Sequence, residues 1–89
     1  MNEMRVRLAP GVRLRPDRVR GGHMLVTAER GLVLSRSAAA MLVLCDGSRS
    51  IAEIALALSR EHAEAEDVIE RDVRKAIGAL LQRHWLRAS

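Results

Sequence analysis

Three histidines and a lone cysteine are the first side chains to test for chemistry, and their spacing serves none. His23, His62 and His84 stand far apart with no partner ligand nearby, whereas structural metal sites gather Cys and His at short intervals. Surface imidazoles are the simpler expectation. A nucleophilic thiolate needs an accessible, electropositive setting, but Cys45 follows the apolar run Leu42-Val43-Leu44. It reads as a small buried hydrophobe, and with no second cysteine it forms no internal disulfide. Glu29 and Arg30 could be drawn as an acid and its partner, yet beside Gly31 they read as a solvated turn pair. No glycine-rich phosphate loop and no paired-carboxylate arrangement is present in the sequence. The expectation is a protein that binds rather than catalyses, without metal or other cofactor.

The scaffold that must position a binding surface is small. An 89-residue chain is expected to make one domain, residues 1–89, close to the size at which a single core suffices. One Trp and no Phe or Tyr leave that core to Leu, Val, Ile, Ala and Met. Such a core offers no aromatic platform on which bases could stack. No apolar run approaches the ~20 residues that span a bilayer, and the N-terminus lacks the apolar stretch of a signal peptide, so a cytoplasmic protein without membrane contact is expected. The formal net charge is +4. Residues 1–36 hold eight Arg against Glu3, Asp17 and Glu29, while residues 37–89 balance to −1. The positive charge therefore belongs to the N-terminal third.

Residues 1–7 are expected to form a flexible arm, with the chain loosely ordered as far as Pro10. Val12 and Leu14 then alternate with Arg13 and Arg15 at the period of a half-buried strand, until Pro16-Asp17 interrupts. Gly21-Gly22 supplies a reversal into a second strand, His23 to Ala28, and Glu29-Arg30-Gly31 turns the chain into Leu32-Val33-Leu34. This predicts a three-stranded antiparallel meander, which needs helices to cover it. Ser35 or Ser37 caps a first helix with an Ala38, Met41, Leu42, Cys45 stripe, and Gly47 is expected to end it. Ser50 and Glu53 are spaced as a capping box for a second helix, with Ile51, Ile54, Ala55 and Leu58 inside. The acidic stretch Glu64 to Asp67 opens a third, longer helix that buries Ile69, Val73, Ala76, Ile77 and Leu80, with Gly78 reserved for close packing or a contact. Trp85-Leu86 should fold back on the core. The fold class is α+β, a winged helix-turn-helix-like module with a three-stranded antiparallel sheet followed by three helices.

Several segments together carry a resemblance. Leu8-Ala9-Pro10-Gly11-Val12-Arg13-Leu14, Asp17-Arg18-Val19-Arg20-Gly21-Gly22, Ala28-Glu29-Arg30, and Leu44-Cys45-Asp46-Gly47 with Ser50-Ile51-Ala52-Glu53-Ile54 occur in an order and spacing similar to the pyrroloquinoline quinone (PQQ) biosynthesis protein D family. It runs from about Leu8 to about Leu86. The chain departs from the family pattern at His23, where an aromatic residue is common, and at Ala28, where the turn usually reads Pro-Glu-Arg. The resemblance implies a peptide chaperone that recognises a ribosomal precursor peptide, PqqA, and presents it to a radical S-adenosylmethionine (radical SAM) enzyme, PqqE.

A physical mechanism compatible with that implication is strand addition. The last strand of a meander leaves N–H and C=O groups unpaired along one edge, where an extended peptide can join as a further strand. Gly31, Leu32, Val33 and Leu34 would supply the edge; Val73, Ile77 and Leu80 of the third helix would line the other wall, with Arg74 and Lys75 for acidic side chains. The bland alternative is that these aliphatic residues are plain core. Arg13, Arg15 and Arg18 read as solvated strand residues that could still steer an acidic partner. Three competing functions remain open: a winged-helix DNA-binding protein, a recognition domain of another peptide-modifying pathway, and a structural subunit of an enzyme complex. Against the first, the third helix opens with Glu66, Asp67, Glu70 and Asp72, charges that DNA repels, so no nucleic-acid partner is expected. A monomer or weak homodimer is expected, since free strand edges permit edge-to-edge pairing.

Overall fold

The computed structural model describes residues 4–89. In chain order it has strands β1 (Arg5–Leu8), β2 (Arg13–Pro16), β3 (His23–Val26) and β4 (Gly31–Val33), helix α1 (Arg36–Val43), strand β5 (Asp46–Ser50), helices α2 (Ile51–His62) and α3 (Glu66–Gln82), and strand β6 (Leu86–Ala88). The expected meander is present, with strand order β2-β3-β4 and both pairs antiparallel. Its three helices follow in the expected order. A second three-stranded antiparallel sheet, ordered β5-β1-β6, was not foreseen.

That second sheet corrects the reading of the N-terminal segment as an arm. Arg5 to Leu8 is the central strand of its sheet, and Val6 is completely buried there. Only residues 1–3 of the expected arm lie outside the described residues. Arg5-Val6-Arg7-Leu8 does alternate at the period of a strand, but its partners lie some forty and eighty residues further along the chain. Nothing local announces such pairing. It continues beyond the ladder, with the Ile51 N–H donating to the Met4 carbonyl (3.1 Å) and the Ser89 N–H to that of Arg5 (2.8 Å).

The end of α1 also differs from expectation. The helix closes at Leu44, and Gly47 lies inside β5 rather than at the helix terminus. Gly47 adopts φ +86°, and a Cβ there would sit 2.9 Å from the Arg7 guanidinium. The backbone conformation is the reason for glycine here, since the Arg7 guanidinium ends a flexible side chain that can move aside. The register between β1 and β5 shifts in this stretch, so glycine here allows an irregularity in the ladder instead of a helix stop. Among the candidate caps it is Ser35 that accepts from the Ala38 N–H, at 3.1 Å.

The start of α2 is as expected: the Glu53 N–H donates to Ser50 Oγ (3.2 Å), and the Ser50 N–H donates to the Glu53 carboxylate (2.7 Å). That second bond holds the Glu53 carboxyl below its ordinary range. Helix α3 buries Val73, Ile77 and Leu80, and Ile69 and Ala76 pack against the same core. One aliphatic cluster joins both sheets and all three helices, with Val6, Leu25, Ile54 and Ile77 fully buried. Each of these four contributes about 1.5–3 kcal/mol by leaving water. Trp85 and Leu86 are buried in the same cluster.

Gly78 is exposed, and a Cβ at this position would meet nothing within 4 Å, so neither close packing nor a strained backbone requires glycine there. Gly78→Ala should raise the unfolding free energy by about 0.5–1 kcal/mol through helix propensity and a less disordered unfolded chain. Urea denaturation followed by circular dichroism measures this; a loss of stability would show that the glycine has a packing role.

Candidate peptide-binding site

β4 is one of the two edge strands of the meander, β2 being the other. The Leu34 N–H donates to the His23 carbonyl (3.1 Å) and the Thr27 N–H to the Arg30 carbonyl (2.8 Å). Together with the register Leu25 to Leu32, these bonds fix the alternation of the ladder. Leu32 and Leu34 turn their backbone groups toward β3, and Gly31 and Val33 turn theirs away from the sheet. The side chains alternate as well. Leu32 and Leu34 are half-buried against the core, whereas Val33 is 52% exposed on the opposite face.

Helix α3 approaches the two ends of this edge in the opposite chain direction, as two observations show. At one end the Arg30 guanidinium donates to the Arg83 carbonyl (3.0 Å) and lies 3.9 Å above the Trp85 ring. At the other, Ser35 and Ser37 share a cleft with Asp72, Val73 and Ala76. Arg30 is thus more than the solvated turn residue expected from the sequence. It delivers positive charge to the carbonyl-rich end of α3 and stacks on the protein's one tryptophan. The two contacts tie the β3–β4 turn to the C-terminal end of the helix.

The cleft has a volume of about 630 Å³. Its floor is apolar, formed by Met41, Leu58, Ile69, Val73 and Ala76, and its rim is polar, with Ser35, His62, Glu64 and Asp72. It opens where β4 passes into α1, so a strand added along β4 leads toward it.

Of the residues the sequence picks out, Gly31, Leu32 and Val33 form β4 and Leu34 follows directly. Val73, Ile77 and Leu80 face inward, at 5%, 1% and 9% exposure, and of these Val73 alone lines the cleft. Arg74 is half-buried and engaged along its own helix, donating to the Glu70 carboxylate from Nε (3.0 Å) and Nη2 (2.7 Å). The structure therefore brings the strand and the helix together but presents the helix through Ile69, Asp72, Val73 and Ala76. Met41, Leu58 and Ile69 were visible in the sequence as helical stripe residues. Only the crossing of three helices shows that they share a cleft.

Cys45 is buried, with its thiol donating to the Met41 carbonyl at 3.4 Å. Burial, with the neighbouring Asp46 charge, pushes its pKa up to about 11. Among the described residues no three His, Cys, Asp or Glu side chains converge as a metal site, and no helix is long and apolar enough to cross a membrane.

A three-stranded antiparallel sheet covered by helices, with an apolar cleft between them, defines a small winged-helix-like domain. Residues 22–86 match the family model for coenzyme PQQ synthesis protein D, PqqD. The chain is 41% identical over 81 residues to a PqqA binding protein of Xanthomonas oryzae pv. oryzae, covering 90% of this chain and 87% of that one. It is 38% identical over 80 residues to the bifunctional coenzyme PQQ synthesis protein C/D of Methylorubrum extorquens, covering 90% of this chain but spanning only 22% of that longer protein. The solution structure of the PqqD part of Methylobacterium extorquens PqqCD, a stand-alone recognition element for ribosomally synthesised and modified peptides, superposes with a TM-score of 0.80. It is 36% identical in sequence, and the match covers 92% of this chain and 87% of that one. The crystal structure of PqqD from Xanthomonas campestris gives a TM-score of 0.63 at 36% identity, covering 90% and 89%. The chain belongs to the PqqD family.

Two outcomes test this description. Arg30→Ala should cost about 1 kcal/mol of stability and shift the Trp85 fluorescence, because both the stacked cation and the bond to Arg83 are lost; unchanged emission would mean the clasp does not persist in solution. The Cys45 thiol should remain protonated and react slowly with a disulfide reagent at pH 8 unless the protein is denatured, and labelling as fast as a free thiol would contradict its burial.

Proposed function

We propose that this protein is a non-catalytic adaptor of PQQ biosynthesis that binds the precursor peptide PqqA and presents it to the radical SAM enzyme PqqE. The observation that carries the reading is the free edge of β4, tied through the Arg30 turn to α3, in a member of a family whose relatives are PqqA binding proteins. The outward N–H and C=O groups of Gly31 and Val33 pair with the peptide backbone, which gives affinity largely independent of peptide sequence. Leu32 and Leu34 support the inner face of the groove, and Val73, with Ile69 and Ala76, receives an apolar peptide side chain. Ile77 and Leu80 hold the helix at the correct height from within the core. Arg74 and Lys75 remain the candidates for acidic side chains of the peptide, Arg74 by exchanging its bond with Glu70. The protein acts in the cytoplasm, as a monomer or weak dimer, and has no catalytic group of its own.

Val33→Pro separates this mechanism from any other use of the groove. The proline ring replaces an N–H that points away from β3, so the ladder within the meander keeps its bonds while the added strand loses one. PqqA affinity, measured by titrating the labelled-amide NMR spectrum, should fall by about tenfold, within the ~0.5–1.5 kcal/mol expected for one hydrogen bond. Unchanged affinity in a folded variant would place the peptide elsewhere.

A further inference from the structure

The face of the meander turned away from the helices has no role in the groove, yet its composition is not that of an ordinary solvated sheet. The register places Leu14, Leu25 and Leu32 in one row on the inner face. The rows on either side, Arg13 with Val26 and Gly31, and Arg15 with Met24 and Val33, therefore lie on the outer face. Met24 and Val26 are only half-buried, Val33 is exposed, and the Met24 side chain reaches across to the spot a side chain at Gly31 would fill. The result is an apolar strip beside the β4 edge, bordered on the β2 side by two arginines.

Arg13 and Arg15 are exposed and make no ion pair among the described residues. The nearest acid in sequence, Asp17, is committed elsewhere: it accepts from the Arg20 and Val19 N–H groups at 3.1 Å each and from the Arg20 guanidinium at 3.2 Å. A patch of Met, Val and unpaired Arg has the make-up of a protein interface, apolar at its centre and charged at its rim. It has no aromatic ring for stacking on bases.

We infer that this outer face docks an acidic surface of the enzyme that modifies the peptide, and that the bound peptide forms part of the same face. This rests on the adaptor reading. A strand added at β4 becomes the fourth strand of the sheet, and every second side chain of it then stands beside Val33 and Gly31 on the outer face. The enzyme meets adaptor and peptide together, on one continuous surface. The inner side chains of the peptide serve the adaptor's groove, and the outer ones are displayed to the enzyme.

The experiment titrates PqqA and purified PqqE separately into the wild-type protein and into Arg13→Glu/Arg15→Glu, with Arg13→Gln/Arg15→Gln as a milder pair and the amide spectrum as a check of folding. The reversed pair should bind PqqA as the wild type does and bind PqqE at least about tenfold more weakly; the wild-type affinity for PqqE should fall as salt is raised. Equal PqqE affinity in the reversed pair would overturn the inference, as would a wild type that does not bind PqqE, or one that binds duplex DNA in its place. Failure of the wild type to bind PqqA would instead overturn the adaptor reading, because the two titrations are read independently.

Discussion

A sheet of three strands, each only three or four residues long, cannot bury itself, and much of this molecule follows from that constraint. The meander has one leucine row to hide, Leu14, Leu25 and Leu32, and the helices cover it. Covering one face leaves the other open, and covering it with helices rather than a further strand leaves the edge of β4 unpaired. The unpaired edge is a liability in most proteins. Here the turn that leads into it is tied by Arg30 to the C-terminal end of α3.

That tie depends on the opposite end of the molecule. Arg30 can clasp α3 only because Trp85 is fixed beneath it, and Trp85 is fixed because the chain around it is bound to the N-terminal segment. The Ala9 N–H donates to the Trp85 carbonyl at 3.0 Å, and Leu86, the next residue, begins the strand that pairs with β1. The second sheet is therefore structural support for the groove, although none of its strands borders it. β1 connects α2, through β5, to the end of α3, through β6, and the two helices close one side of the cleft.

The resulting surface divides its tasks by chemistry. In the adaptor reading we propose, backbone groups of β4 recognise an extended chain without regard to its sequence, the apolar cleft selects a side chain, and the arginine-bordered outer face bears the charge. The concentration of positive charge in the N-terminal third, evident from composition alone, acquires a location here. Part of it, Arg13 and Arg15, lies on the solvent side of β2, while Arg5 and Arg7 lie in β1 and Arg36 opens α1.

What the sequence determined by itself was whatever depends on neighbours along the chain. The alternation of Arg13, Leu14 and Arg15, the capping box of Ser50 and Glu53, and the stripe from Ile69 to Leu80 specify strand and helices through periods of two and 3.6 residues. The order of segments was sufficient to indicate the family. The tertiary structure decided whatever depends on residues far apart. Arg5 to Leu8 became a central strand because β5 and β6 arrived on either side of it, and Gly47 became part of a strand because the segment around it pairs with β1. Arg30 stays exposed but gained a stacking partner because Trp85 was brought beneath it. Of the third-helix residues expected at the groove, Ile77 and Leu80 went to the core and Val73 remained in the cleft. Periodicity identifies the apolar face of a helix, and only packing against other elements decides which part of that face stays open to a ligand.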